Sequence, residues 1–407
     1  MNKKIIFLLT DALRGDYPEL HDMKFLKQKL SEDNRIASRA VHPSTGFCEI
    51  IEYVLGQSAS EHGMLAQITA KENWHEMKYR PYLSVLYKYN NIFGNIPKVR
   101  GVWRIFLDKL MSSITEPEVA RVRYHIPIHM LDYFRATESL YEYDSWEFGG
   151  ENNLFYWFKE NNISYDIDNF VKFNKIKGID KDRFEDINNK IKNKSLKDFT
   201  LAYIGNAEMA HFKGTTSNEF KEYMVDMDKS LEVLSKNLDE HYDNYELVIL
   251  GDHGMVDVEQ HVDCISEIKK IANDLGISEG KDYIYFVDST CLRLWFKQPE
   301  LHQSLFDKKL VDIIGEHLEL TDDITNYLDK FKPEYGNLLY LIQGKKIFYP
   351  DFFNTKANVG MHGYKHDIFG QQGLLLLTGP NVENNDVDKI ELKDIKSLII
   401  SRYQNGK

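Results

Sequence analysis

Four short apolar runs punctuate the chain, and each ends in polar or glycine-rich residues. They are Ile5–Thr10 before Asp11, Phe199–Ile204 before Gly205-Asn206, Leu247–Leu250 before Gly251-Asp252-His253, and Gly373–Thr378 before Gly379-Pro380. Continuous apolar runs of this length predict central strands of a sheet buried on both faces. Between them the apolar positions recur at helical spacing, as over Cys48–Leu55, Leu154–Asn161 and Ser217–Leu238. Strand–helix alternation predicts an α/β fold with a doubly wound, mostly parallel central sheet and helices on both faces. Ligands of such sheets sit beyond the carboxyl ends of the strands, so the polar residues that follow the runs are the candidates for chemistry.

Two stretches break the alternation. Residues 75–149 are rich in Tyr, Arg, Lys and Trp and read as mostly helical; residues 263–349 combine a helix at Ile265–Leu275 with strand-like Tyr283–Phe286 and Cys291–Phe296. Both are expected as inserted caps beside a core made of 1–74, 150–262 and 350–407. The basic, aromatic Trp103–Ser112 segment reads first as a helix packed on the core, with a peripheral membrane contact as the alternative. The lysine- and asparagine-rich Asn188–Lys197 reads as a solvated loop.

Charge narrows the partners. Of 407 residues, 51 are Lys or Arg and 63 are Asp or Glu, a net charge of -12. With no basic block and no nucleic-acid-binding signature, nucleic acid is not expected as a partner. An acidic protein that binds an anion needs a local positive centre, and a bound metal would supply one. The three cysteines, Cys48, Cys264 and Cys291, show no CxxC spacing, which argues against a disulfide framework or a cysteine-rich zinc module. Ile5–Thr10 is too short for a signal-peptide core or a membrane span, and no later run approaches the ~18 apolar residues of a span. A cytoplasmic location is therefore the expectation.

Taken singly, the polar residues after the runs are ambiguous. Asp11 fits a turn or helix cap as well as a catalytic carboxylate. Asp252 and His253, flanked by Gly251 and Gly254, can both turn into one site, and carboxylate plus imidazole suits zinc or manganese. His362, between Met361 and Gly363, is either an ordinary histidine or a ligand on an irregular loop. Glu208 and His211 are spaced to share a face. Ser44 and Thr45 lie just before a predicted helix, where a hydroxyl caps the helix or a phosphate binds.

Their order along the chain resembles that of the alkaline phosphatase superfamily, closest to its nucleotide pyrophosphatase/phosphodiesterase branch. The matching strings are Ile6-Phe7-Leu8-Leu9-Thr10-Asp11, Val54-Leu55-Gly56 with Glu61-His62-Gly63-Met64, Gly251-Asp252-His253-Gly254-Met255, and Met361-His362-Gly363-Tyr364. Phe286-Val287-Asp288-Ser289-Thr290 with Leu294-Trp295-Phe296 resembles a strand region of that branch's second insertion. The resemblance implies two divalent ions, expected to be zinc. Asp11, Asp252 and His253 would hold one ion, which also binds the nucleophile; His211, His362 and a carboxylate before His211 would hold the other. Two positions depart from the pattern. Gly46 stands where the family has its nucleophile, so Thr45 is the expected nucleophile, with Ser44 and Cys48 as alternatives. Ala207 stands where the family has an aspartate, so Glu208 is expected to supply that carboxylate. Gln67 takes the place of a family asparagine that holds the phosphoryl oxygen, with the same amide on a longer arm.

The implied activity is hydrolysis of a phosphate ester or phosphodiester, of a nucleotide, a nucleotide-sugar or another small molecule, or glycan- or lipid-linked, through a phosphorylated hydroxyl. Sulfate or phosphonate ester hydrolysis, phosphoryl transfer, and a catalytically silent metal-binding relative are the alternatives.

Overall fold

Lys4–Thr10 is buried from Ile5 onward, as its unbroken apolar run requires. It pairs in parallel with Phe199–Ile204 on one side and Tyr245–Leu250 on the other. The computed structural model describes residues 3–47, 49–76, 80–93, 96–114, 126–137, 142–168 and 180–404, which form two compact units.

The first unit comprises Met1–His62, Tyr141–Asp257 and Val359–Lys407. Its eight-stranded sheet has the spatial order Asn385–Asp386, Arg35–His42, Gly373–Thr378, Tyr245–Leu250, Lys4–Thr10, Phe199–Ile204, Tyr165–Ile167, and Ile390–Glu391 also pairs with Arg35–His42. All neighbours are parallel except Gly373–Thr378, which runs antiparallel to both of its partners. Alternate residues of the first strand face opposite layers of helix. Ile6 and Leu8 join a core with Phe220, Met224 and Leu231 of the helix Asn218–His241. Phe7 points the other way, 5.6 Å from Tyr53 of the helix Glu49–Leu55 and 5.9 Å from Phe199. Phe199 in turn lies 4.7 Å from Phe158 of the helix Leu154–Glu160. Burying each such aromatic contributes about 1.5–3 kcal/mol, and having them on both faces makes the sheet doubly wound.

Two local features differ from the sequence reading. Arg35–His42 is a strand although Arg35, Ser38 and Arg39 interrupt its apolar pattern; Arg35 pairs with Asp386 at 2.9 Å across the sheet edge. The first part of Asn188–Lys197 is helical, because Asp180–Lys192 forms a helix anchored by buried Phe184, Ile187 and Ile191. These apolar positions, three and four residues apart, outweigh the lysines and asparagines between them.

The second unit comprises Gly63–Leu140 and Val258–Asn358. Its antiparallel sheet joins Tyr283–Val287, Cys291–Phe296 and Leu338–Leu341. The helix Cys264–Leu275 starts at a cap made by Asp263 and ends at left-handed Gly276. Arg80–Phe93 and Pro97–Ile114 are helices of the same unit. Arg293 is fully buried and pairs with Asp288 at 2.7 Å.

Candidate metal centre

Thr10 is in register with Ile204, and Leu9 with Leu250. The three parallel strands therefore end level, and Asp11, Gly205 and Gly251 leave the sheet at one edge. Gly251 allows the close crossing there: a Cβ on it would lie 2.1 Å from the Leu13 carbonyl oxygen. Ala12 follows Asp11 in the left-handed region, at φ 55°, and its N–H donates to Asp252 Oδ1 at 3.3 Å. A non-glycine residue held in that region costs of order 1–3 kcal/mol, a strain that concentrates at functional sites. The His253 N–H donates to the same oxygen at 3.0 Å.

The outcome is a tight cluster. His253 Nε2 lies 3.3 Å from Asp11 Oδ1 and 3.8 Å from Asp252 Oδ1. His253 Nδ1 donates to the Gly254 carbonyl at 2.8 Å, which leaves Nε2 to face the carboxylates. The Tyr203 hydroxyl donates to Asp11 Oδ2. Glu208 is exposed as a residue, but the charge of the buried Asp11 bears on its carboxyl.

His362 follows a short antiparallel ribbon, Val256–Asp257 against Gly360–Met361, and His211 lies in the short helix Ala210–Lys213. Gly360 passes so close to the helix Ala210–Lys213 that a Cβ would lie 2.6 Å from the Ala210 carbonyl. There its carbonyl accepts from His211 Nδ1 at 2.8 Å, which fixes the ring's orientation. His362 stacks on His253, with ring centroids 3.8 Å apart, and its ring centroid is 5.4 Å from that of His211. His362 Nδ1 is buried with no hydrogen-bond partner among the described residues; Glu49 Oε1 is 3.7 Å away.

The structure thus brings Asp11, Glu208, His211, Asp252, His253 and His362 to one edge of the first unit. Potential ligand atoms of Asp11, Asp252 and His253 lie within 4.8 Å of one another, and so do those of Glu49, His253 and His362. Thr45 is 3% exposed, in the loop that leads into the helix Glu49–Leu55, and Phe47 of that loop packs edge-on against His362. Gln67 belongs to the second unit, where its carbonyl accepts from the Thr137 N–H at 2.9 Å. Cys48 lies outside the described residues. Sequence reading missed two members. Glu49 is the first residue of the helix that follows the candidate hydroxyls Ser44 and Thr45, and that position is the one signal the sequence offers for it. Tyr203 is a polar tip on an otherwise apolar strand.

The electrostatics fit a cation. Burial resists ionisation of Asp11, yet bonds from His253 and Tyr203 and the charge of His253 hold its carboxyl below the usual range. Burial, opposed by His253 and reinforced by Asp11 and Glu49, pushes Asp252 up to about 7. Burial and the neighbouring Asp11 also raise Glu208. His253 rises well above its ordinary value despite burial, because Asp252, Asp11 and Glu49 surround it; burial and the charges of His253 and His211 depress His362. So many carboxylates coexist here only by sharing protons with each other and with His253, the condition that a divalent ion relieves.

Residues 5–297 match the family model described as type I phosphodiesterase / nucleotide pyrophosphatase, and the chain belongs to that family. It is accordingly a phosphoric ester hydrolase of a metal-dependent family within the alkaline phosphatase superfamily. The fold is similar to that of murine ectonucleotide pyrophosphatase/phosphodiesterase 5, solved alone and as an inactive form in complex with AMP. The TM-score is 0.67 at 13% identity, covering 99% of this chain and 95% of that one. The human counterpart gives a TM-score of 0.63 at 14% identity with the same coverage, 99% and 95%. No curated protein sequence matches the chain.

Proposed function

We propose that this protein is a two-zinc phosphodiesterase that cleaves a nucleotide-type phosphodiester or phosphoanhydride through a phosphorylated Thr45. The observation that supports it most is the pair of overlapping ligand groups that share His253. Asp11, Asp252 and His253 would hold one ion, with Glu208 beside Asp11. Glu49 and His362, joined by His211, would hold the other. Mixed carboxylate and imidazole ligands suit zinc. Bound there, zinc would polarise the phosphoryl oxygens and lower the pKa of the attacking hydroxyl.

The chain's own residues supply nucleophile and orientation. Thr45 Oγ forms its bond to phosphorus as the bond to the leaving oxygen breaks, and water then cleaves the Thr45 phosphoester. The loop geometry favours Thr45. Gly46, at φ 139°, occupies a turn that disfavours a side chain. Ser44 is committed elsewhere: its hydroxyl donates to Glu52 Oε2 at 2.9 Å and accepts from the Ala59 N–H at 3.1 Å. Tyr203 and the Gly254 and Gly360 carbonyls fix the orientation of Asp11, His253 and His211. The AMP complex of a structural relative supports a nucleotide-type substrate over a glycan- or lipid-linked one.

The test is turnover of bis-p-nitrophenyl phosphate by metal-stripped protein before and after zinc is restored, with p-nitrophenyl sulfate alongside. Zinc-dependent cleavage of the diester and none of the sulfate is expected. A zinc-loaded protein that cleaves neither, or prefers the sulfate, refutes the reading.

A further inference from the structure

The helices Arg80–Phe93 and Pro97–Ile114 of the second unit each carry two unlike faces. One face of each is spent within the unit. Leu83 and Leu107 are fully buried, and Tyr87 packs edge-on against His129 at 4.6 Å. Trp103 ties the two helices together: its indole N–H donates to Asn90 Oδ1 at 3.0 Å, and its ring lies 5.2 Å from that of Phe93.

The opposite faces are apolar and open. On the first helix Tyr82, Val85, Tyr89 and Ile92 recur at intervals of three and four residues, and Tyr82 is 65% and Ile92 58% exposed. On the second, Val99, Val102, Ile105 and Phe106 form the corresponding stripe, with Val102 71% and Ile105 63% exposed. Apolar side chains left exposed along one face of a helix mark an interaction site.

We infer that this helical pair lies on the surface of an anionic lipid bilayer, with the two stripes immersed at the headgroup boundary. Charge selects that occupant. From Arg80 to Ile114 there are six Lys or Arg residues and one acidic residue, in a chain whose net charge is -12. A basic helical pair with tyrosines in its exposed stripe has the composition of an interfacial segment. Each basic residue near an anionic leaflet adds attraction that salt screens. A two-fold contact between copies of the chain would set one basic patch against another, which like charge disfavours. No described helix is long and apolar enough to cross a membrane, so the pair rests on the surface and does not span it.

Flotation of the full chain with vesicles tests this. The probes are phosphatidylcholine vesicles and vesicles of phosphatidylcholine mixed with phosphatidylglycerol. Binding is expected to the mixed vesicles only and to fall as salt is raised to about 0.5 M. The double variant Val102→Asp/Ile105→Asp should bind at least about tenfold more weakly, and so should Lys88→Glu/Lys109→Glu, while both keep wild-type turnover of a soluble nitrophenyl diester. Three results would overturn the inference: no binding of the wild-type chain to mixed vesicles, equal binding to neutral ones, or a vesicle-free dimer that Val102→Asp/Ile105→Asp converts to monomer.

Discussion

The imidazole rings of His253 and His362 lie face to face, 3.8 Å between centroids and 5° between planes. Each ring belongs to a ligand group, but only His253 belongs to both. His253 Nδ1 is bonded to the Gly254 carbonyl, so its single free lone pair, on Nε2, would serve one ion, with Asp11 and Asp252, and His362 would serve the other. His253→Ala should weaken the first ion and His362→Ala the second, each leaving the other ion at near wild-type affinity. Metal content after dialysis against a series of zinc buffers measures this. Loss of both ions in either variant would show that the two groups do not hold separate ions.

Thr45 stands in a loop whose other hydroxyl is already bonded to Glu52. Thr45→Ala should reduce turnover of the diester by about a thousandfold or more, as loss of a nucleophile does, with zinc content and circular dichroism unchanged. Thr45→Ser retains the oxygen and should keep a measurable part of the rate. A Thr45→Ala protein with wild-type turnover shifts the nucleophile elsewhere, and Cys48→Ala then becomes the informative variant.

Much of the first unit was legible because its strands are buried on both faces. Phe199–Ile204 and Gly373–Thr378 stand where their apolar runs begin and end. The reversed direction of Gly373–Thr378 had no signal, since burial imposes the same composition on parallel and antiparallel central strands. Arg35–His42 escaped for the opposite reason: at the sheet margin its arginines face Asp386 and Glu19, and such partners do not show in a local pattern. In the site, Asp11, Asp252 and His253 were readable as polar residues at strand ends. Glu49 was not, because its place beside His362 depends on how the ribbon at Gly360–Met361 folds back.

Glu49 and Glu208 make separable contributions. Glu49 Oε1 faces His362 Nδ1 at 3.7 Å, while burial and the neighbouring Asp11 raise the pKa of Glu208. Glu49→Gln should weaken the ion shared with His362 by about a hundredfold and spare the other, a loss at least as large as removal of an outer-shell partner causes. Glu208→Gln removes a charge near Asp11 but no member of the Asp11, Asp252 and His253 group, and should weaken the ion on that side by about tenfold or less. Calorimetric zinc titration resolves two binding steps, and a change confined to the wrong step in either variant would contradict the assignment.

His21 gives a prediction that does not involve the metal centre. Its ring is 2% exposed and packs edge-on against Tyr17 at 4.9 Å and Phe220 at 5.3 Å. Its Nε2 has no hydrogen-bond partner among the described residues. Burial, helped by the charges of Arg14 and Lys221 against that of Asp16, lowers its pKa to about 4. The unfolded chain takes up this proton near pH 6.5, so between about pH 6.5 and 4 the unfolded state binds more protons than the folded one. The stability that neutral His21 contributes is therefore complete above pH 6.5 and is lost as the pH falls toward 4, by at most about 3 kcal/mol. His21→Phe keeps an aromatic ring against Tyr17 and Phe220 and removes the proton site. Urea-unfolding midpoints of the wild type should fall more steeply than those of His21→Phe across this window, and the two should run parallel above pH 7. Parallel curves throughout would mean that His21 takes up its proton in the folded protein as readily as in the unfolded chain.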